Sequence, residues 1–285
     1  MEEDHPLQLA AAMRRELSIP GIETRLLDLP QVDCPVIHRF GPGLYIREVR
    51  LPAGCVIVGH RQRYEHMNIF LQGRLTMLNP DGSTMELSAP MMFTGAPGRK
   101  CGYIHEDVVW LNIYPTTETD VETLESTYLD KSPVWLDKNR QLEDSKSDRA
   151  EDVMDYHRML GELGITESQV REESECTDDL VPLPLGGYKI AVSRSRIEGK
   201  GVFATAQIDP GEIIAPAKLG EKRTPVGRYT NHSAWPNAIM KEYNGDIYLV
   251  ATRPIHGCQG GFLGDEITTD YRKTLRIVGG MPCLQ

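Results

Sequence analysis

The sequence lacks an apolar run longer than about five residues, against the roughly 20 that a membrane-crossing helix needs. Its acidic start, Met1-Glu2-Glu3-Asp4-His5, lacks the apolar stretch of a secretory leader. It lacks any C-x-x-C pair: Cys34, Cys55, Cys101, Cys176, Cys258 and Cys283 are scattered. Scattered cysteines and no leader point to reduced thiols in a cytoplasmic protein. Repeats and low-complexity tracts are absent too. Basic charge is in deficit, with 31 Lys and Arg against 41 Asp and Glu in 285 residues, a net charge of −10. A chain without a basic face is a poor phosphate binder, so neither a nucleic acid nor a membrane is expected as partner.

The deficit is local. Residues 1–115 carry 11 basic and 13 acidic side chains, residues 116–187 carry 7 and 19, and residues 188–285 carry 13 and 9. The three stretches also differ in pattern. A lead-in of 1–35 has helical spacing around Leu7–Leu17. From 36 to 115, short apolar stretches alternate with Gly and Pro, and Asn79-Pro80-Asp81-Gly82 signals a hairpin, as expected of a small β-barrel. In 116–187, Ala150, Val153, Met154, His157 and Leu160 fall at helical spacing, and Thr166-x-x-Gln169 fits a capping box. The remainder of that stretch is polar, which predicts a part-helical acidic linker with a solvated face. From 188 to 285 the pattern is β again, with Tyr243-Asn244-Gly245-Asp246 as a type I′ hairpin turn.

Three separated motifs lie in this last stretch: Glu198-Gly199-Lys200-Gly201, then Arg228-Tyr229-Thr230-Asn231-His232-Ser233-Ala234-Trp235-Pro236-Asn237, then Gly264-Asp265-Glu266-Ile267-Thr268-Thr269-Asp270-Tyr271. In this order they resemble the SET-domain protein lysine methyltransferases. The match covers about Tyr188–Arg272. The resemblance implies a compact SET-like β-fold whose second and third motifs thread into a pseudoknot, bringing Asn231 beside Tyr271. It implies S-adenosylmethionine as cofactor, held by Gly199, Lys200, Gly201, Arg228, Tyr229, Asn231 and His232. It makes Tyr271 the catalytic tyrosine at the methyl-transfer channel, and a lysine-bearing protein the substrate. Tyr271 as a core tyrosine and His232 as a turn residue are the alternatives. Only about 30 residues separate Gly201 from Asn231, a short span for the substrate groove of that family. A non-catalytic structural or assembly protein on a SET scaffold, viral in the extreme case, is therefore the second reading. The compact size points to a viral or bacterial source, with the cytoplasm or a virion as location.

In the first stretch, Gly54-x5-His60-x-Gln62-x3-His66-x6-Gly73 resembles the first motif of the cupins, with Gln62 in place of a histidine and His66 in place of a glutamate. This implies a degenerate cupin-like barrel over 36–115. Its His60, His66 and His105 are the candidate ligands of a divalent metal, and self-association into a homo-oligomer is expected by analogy. A cupin-type metal enzyme is the third reading. Polar wall residues without metal are the alternative for these histidines, and nearby Arg61, Arg63, Arg99 and Lys100 suit an anionic small molecule. The expected whole is mainly β: barrel, acidic linker, SET-like domain.

Overall fold

The computed structural model describes residues 19–79, 82–145 and 150–278. The predicted helix around Leu7–Leu17 lies outside the described residues, as do Pro80 and Asp81 of the first hairpin.

A short helix, α1 (Ile19–Leu27), leads into the strands β1 (Val36–Gly41), β2 (Leu44–Leu51), β3 (Val56–Val58), β4 (Arg61–Gln62), β5 (His66–Leu78), β6 (Thr84–Ser88), β7 (Met91–Gly95) and β8 (Cys101–Pro115). The long strand β8 organises them. Its first residues pair with β3, its second half with β2, and its other edge runs antiparallel to β5. Register shifts in β5 between Phe70 and Leu75 bend the pair, as bulges do. Phe70, Leu75 and Ile104 fill the interior of the bend and are fully buried. The expected barrel is not closed. The hydrogen-bonded order begins and ends at free edges, with β6 at one of them.

The acidic stretch folds into α2 (Val121–Tyr128), the short strand β9 (Leu129–Asp130), and the helices α3 (Pro133–Ser145), α4 (Ala150–Leu163) and α5 (Glu167–Glu175). Thr166 and Gln169 form the expected reciprocal cap of α5. Strand β10 (Gly186–Tyr188) then pairs with β1, so the end of the acidic stretch becomes an edge of the N-terminal sheet.

The last stretch forms two four-stranded sheets from β11 (Ile190–Arg194), β12 (Lys200–Ala204), β13 (Ile213–Leu219), β14 (Lys222–Arg223), β15 (Asn231–His232), β16 (Ala238–Tyr243), β17 (Asp246–Ala251) and β18 (Glu266–Thr269). Helix α6 (Pro225–Tyr229) precedes β15, and α7 (Tyr271–Val278) follows β18. The β16–β17 turn has Asn244 and Gly245 at φ 55° and 87°, as a type I′ turn requires.

The three stretches share one core. Phe40, Tyr45 and Tyr114 of the first sheet pack in the same buried cluster as Val121 and Leu124 of α2 and Val202, Leu249 and Ile267 of the last sheets. The acidic stretch is therefore not the solvated connector its composition suggests. Asp152, Asp155 and Glu173 are buried. Burying carboxylates demands partners, and these lie in the C-terminal stretch.

Candidate functional sites

Two places gather polar side chains in the interior. The first is built by the C-terminal motifs. Thr224 caps α6, its hydroxyl accepting from the Gly227 amide, and Pro225 takes the first helical position. The helix ends at Thr230 and releases the chain into β15, which runs parallel to β18 with Asn231 opposite Thr268 and His232 opposite Thr269. Asn237 locks the two segments, donating to the Glu266 carbonyl and accepting from the Thr268 amide, both at 2.9 Å.

Asn231 donates to the Lys200 carbonyl at 3.0 Å and to the Glu266 carboxylate at 2.9 Å, with the Glu198 carbonyl at 3.3 Å. Ser195 donates to the same Glu266 oxygen at 2.7 Å. A Cβ on Gly201 would stand 2.4 Å from that oxygen, so Gly201 is required by the Glu266 carboxylate. Gly199, at φ 49°, has open space beside it. Tyr271 donates its hydroxyl to the Thr230 carbonyl at 3.0 Å, and its ring meets His232 edge-on with centroids 5.5 Å apart. Burial pushes the Tyr271 phenol well above its ordinary pKa, with Tyr156 and Glu266 adding to the rise. Gly199, Gly201, Asn231, His232 and Tyr271 are thus brought together.

The neighbours of this cluster come from the acidic helices, and the sequence reading missed them. His232 Nδ1 accepts the Tyr271 amide at 3.3 Å, so its Nε2 carries the hydrogen donated to Asp155 at 3.0 Å. Arg272 donates to both oxygens of Asp155, at 2.8 and 3.2 Å, and Arg158 donates as well. The Arg272 hydrogen bonds outweigh burial and hold the Asp155 carboxyl well below the usual carboxylate range. Asp152 accepts from the Ser233 hydroxyl at 2.7 Å and the Ala234 amide at 2.9 Å. Tyr156 faces His232, with centroids 6.3 Å apart. One helical stripe, Asp152-x-x-Asp155-Tyr156, therefore covers the Asn-His-Ser segment.

Two expected cofactor residues point elsewhere. Arg228, read as lining the cofactor pocket, is fully buried on Asp179 at 3.0 Å. A guanidinium on the inner face of α6 loses its water, and this carboxylate replaces it. Lys200 extends outward to Glu122 at 2.7 Å, over the Tyr229 ring.

The second place is a cavity inside the bent N-terminal sheet. His38, Arg47, Asn112 and Asn68 stand opposite one another on β1, β2, β8 and β5 and form a polar rung on one face. The Asn68 side-chain oxygen accepts from Asn112 and Trp110 at 2.8 Å and from Lys100 at 3.2 Å. Trp135 of α3 closes the cavity, its ring stacked on Phe262 and edge-on to His60. Burial pushes His38 and His60 down to about 4, and Lys100 down to about 8.

The three candidate metal ligands do not converge. His60 faces Trp135. His66 stacks on Tyr114 and bonds the Tyr64 carbonyl. His105 bonds Thr76 at 2.8 Å, because strand alternation sends it away from the interior that Ile104 fills. Among the described residues, no group of three or more His, Cys, Asp or Glu side chains is placed to hold a metal ion.

No family model and no curated protein matches the chain. Parts of solved structures are similar over the N-terminal part. The EutQ protein of Clostridium difficile is 10% identical over 29% of this chain and 68% of that one, with a TM-score of 0.25. An RmlC-like cupin family protein with a double-stranded β-helix fold from Methanocaldococcus jannaschii is 12% identical over 30% and 84%, with a TM-score of 0.26. A cupin domain from Bordetella pertussis is 18% identical over 31% and 98%, with a TM-score of 0.25. Among the described residues no helix is long and apolar enough to cross a membrane.

Proposed function

We propose that the chain is an S-adenosylmethionine-dependent protein methyltransferase acting on a lysine side chain of a protein substrate. The observation that supports this most is the meeting of the three motifs: the Asn231 side chain bonds the backbone of the Gly199–Gly201 turn, while its neighbour His232 packs on Tyr271. The residues fit a sulfonium cofactor in two respects. The glycine turn is open at Gly199, and the buried carboxylate of Glu266 provides negative charge nearby. When bound, the cofactor supplies a methyl group whose C–S bond breaks as the lysine nitrogen forms its N–C bond, leaving a thioether.

The protein's part in that reaction is positioning, which carries most of the catalysis of an in-line displacement. Gly199, Gly201, Asn231 and His232 hold the donor. A lysine amine attacks only in its neutral form, and an apolar channel lowers its pKa from near 10.4. Tyr271 stays protonated because burial raises its pKa, so it orients groups through its hydroxyl and is no general base. The lysine proton leaves to solvent.

A specific observation favours a second reading, a non-catalytic scaffold. The side chains of Asn231, His232, Ser233, Asn237 and Glu266 already bond one another, the backbone of β18 or helix α4. Transfer of a labelled methyl group to protein lysines separates the two. The enzyme reading expects transfer that Tyr271→Phe abolishes while cofactor binding persists. Absence of both binding and transfer leaves the scaffold.

A further inference from the structure

The N-terminal cavity encloses about 220 Å³ and draws its wall from all three stretches: Arg47 and Gln62 of the sheet, Trp135 of α3, and Gly261 of the last stretch. Leu51, Ile57 and Trp110 make much of that wall apolar. Arg47, His60 and Trp135 line this cavity and the adjoining one, and among the described residues Arg47 Nε, His60 Nδ1 and Trp135 Nε1 are buried without a hydrogen-bond partner. Buried polar atoms are nearly always satisfied, so three on residues lining one cavity mark a partner that the described residues do not supply. The Trp135 and His60 rings also converge on Gly261, where an added Cβ would stand 3.6 Å from Trp135 Nε1 and 4.0 Å from His60 Nε2.

The charges specify the partner's sign. One carboxylate, Glu23, lines this cavity, and Glu125 lines the adjoining one; each is held by a cation at hydrogen-bond distance. Glu23 is held by both terminal nitrogens of Arg99, and Glu125 by Lys131 at 2.8 Å. Arg47 stands off from Glu125 at 3.7 Å, too far for a hydrogen bond. Lys100 lies over the Trp110 ring, with Asn68 and His66 as polar neighbours and no carboxylate at ion-pair distance among the described residues. Lys100 thus faces an apolar cavity with no carboxylate beside it, and Arg47 keeps an unbonded Nε there, which disfavours a metal and favours an anion.

We propose that this cavity binds a small monocarboxylic acid with an apolar body, its oxygens accepting from Arg47 Nε and Trp135 Nε1 in the field of Lys100. The apolar wall takes the body, and His60, kept neutral by burial, adds a hydrogen bond without charge. Closure requires α3 and the Gly261 loop, so the site exists only in the complete chain. It shares no residue with the methyl-transfer cluster and does not depend on that reading.

The test is calorimetry and tryptophan fluorescence on the full chain with butanoate, hexanoate and phenylacetate, using hexanamide and phenylacetamide as neutral controls. At least one acid is expected to bind one to one, with its amide at least about tenfold weaker. Lys100→Met and Trp135→Phe should each weaken binding about tenfold. Trp135→Phe keeps the ring stack on Phe262, and circular dichroism checks that both variants fold. Three results would overturn the proposal: no saturable binding by any of the acids, equal binding of acid and amide, or unchanged binding in both variants.

Discussion

The two polar interiors of this protein are opposites. The Asn231, His232 and Ser233 side chains each meet a carboxylate, Glu266 from β18 and Asp155 and Asp152 from an acidic helix. Around Arg47 and Trp135, buried nitrogens face a cavity with no partner among the described residues. A saturated polar cluster fixes geometry, as the parallel pairing of β15 with β18 needs. An unsaturated one keeps hydrogen-bonding capacity in reserve. Sites built for ligands are typically less stable than the same fold without them. Substitutions should therefore weaken the fold in the first region and leave or even strengthen it in the second.

The largest expected effect is at Asp155. Asp155→Ala leaves His232 without its acceptor and leaves Arg272 with Glu162 as its remaining close carboxylate. Chemical denaturation should show a loss of about 2–4 kcal/mol, less than for a fully broken buried pair because Arg272 keeps Glu162 and some solvent contact. Gly201→Ala comes next, since its Cβ would crowd the Glu266 carboxylate at 2.4 Å. About 1–3 kcal/mol is expected by the same measurement. Smaller losses than these would mean that the C-terminal cluster is looser than its hydrogen bonds imply.

Acid acts on buried histidines and on paired carboxylates in different windows. His38 is fully buried and titrates at about 4 instead of 6.5. Between those values the unfolded chain binds the extra proton, so stability falls as pH drops from 6.5 towards 4. Asp155 has a depressed pKa, so its contribution is complete above 3.8 and is lost only as pH falls below that. Thermal melts across pH 7 to 3 should show both phases, and His38→Gln should reduce the first, with His60 contributing the rest. The smallest effect is expected at Lys100. Lys100→Met removes a desolvated ammonium and should leave the melting temperature unchanged or slightly higher, while weakening carboxylate binding.

Much of the local structure is legible in the sequence. Asn244-Gly245 specifies its hairpin through two residues that tolerate positive φ, and Thr166-x-x-Gln169 specifies its cap. The C-terminal motifs mark the residues that meet. What is not legible is long-range partnership. Gly186-Gly187-Tyr188 carries no strand alternation, yet it completes the N-terminal sheet because β1 offers a free edge. Asp155 reads as one acid in an acidic stretch, and its partner Arg272 lies 117 residues away. The excess of acid in 116–187 beside the excess of base in 188–285 is the trace of that clamp, which single positions do not reveal. His105 shows the converse. Its spacing suits a ligand, but the pleat turns it away from His60.

Calorimetric titration of the full chain with S-adenosylmethionine asks directly whether the C-terminal cluster holds a cofactor as well as clamping the fold. Saturable one-to-one binding is expected, abolished by Asn231→Ala and unchanged by Lys100→Met. Absence of any binding heat from a folded sample would contradict it and leave the cluster as architecture alone.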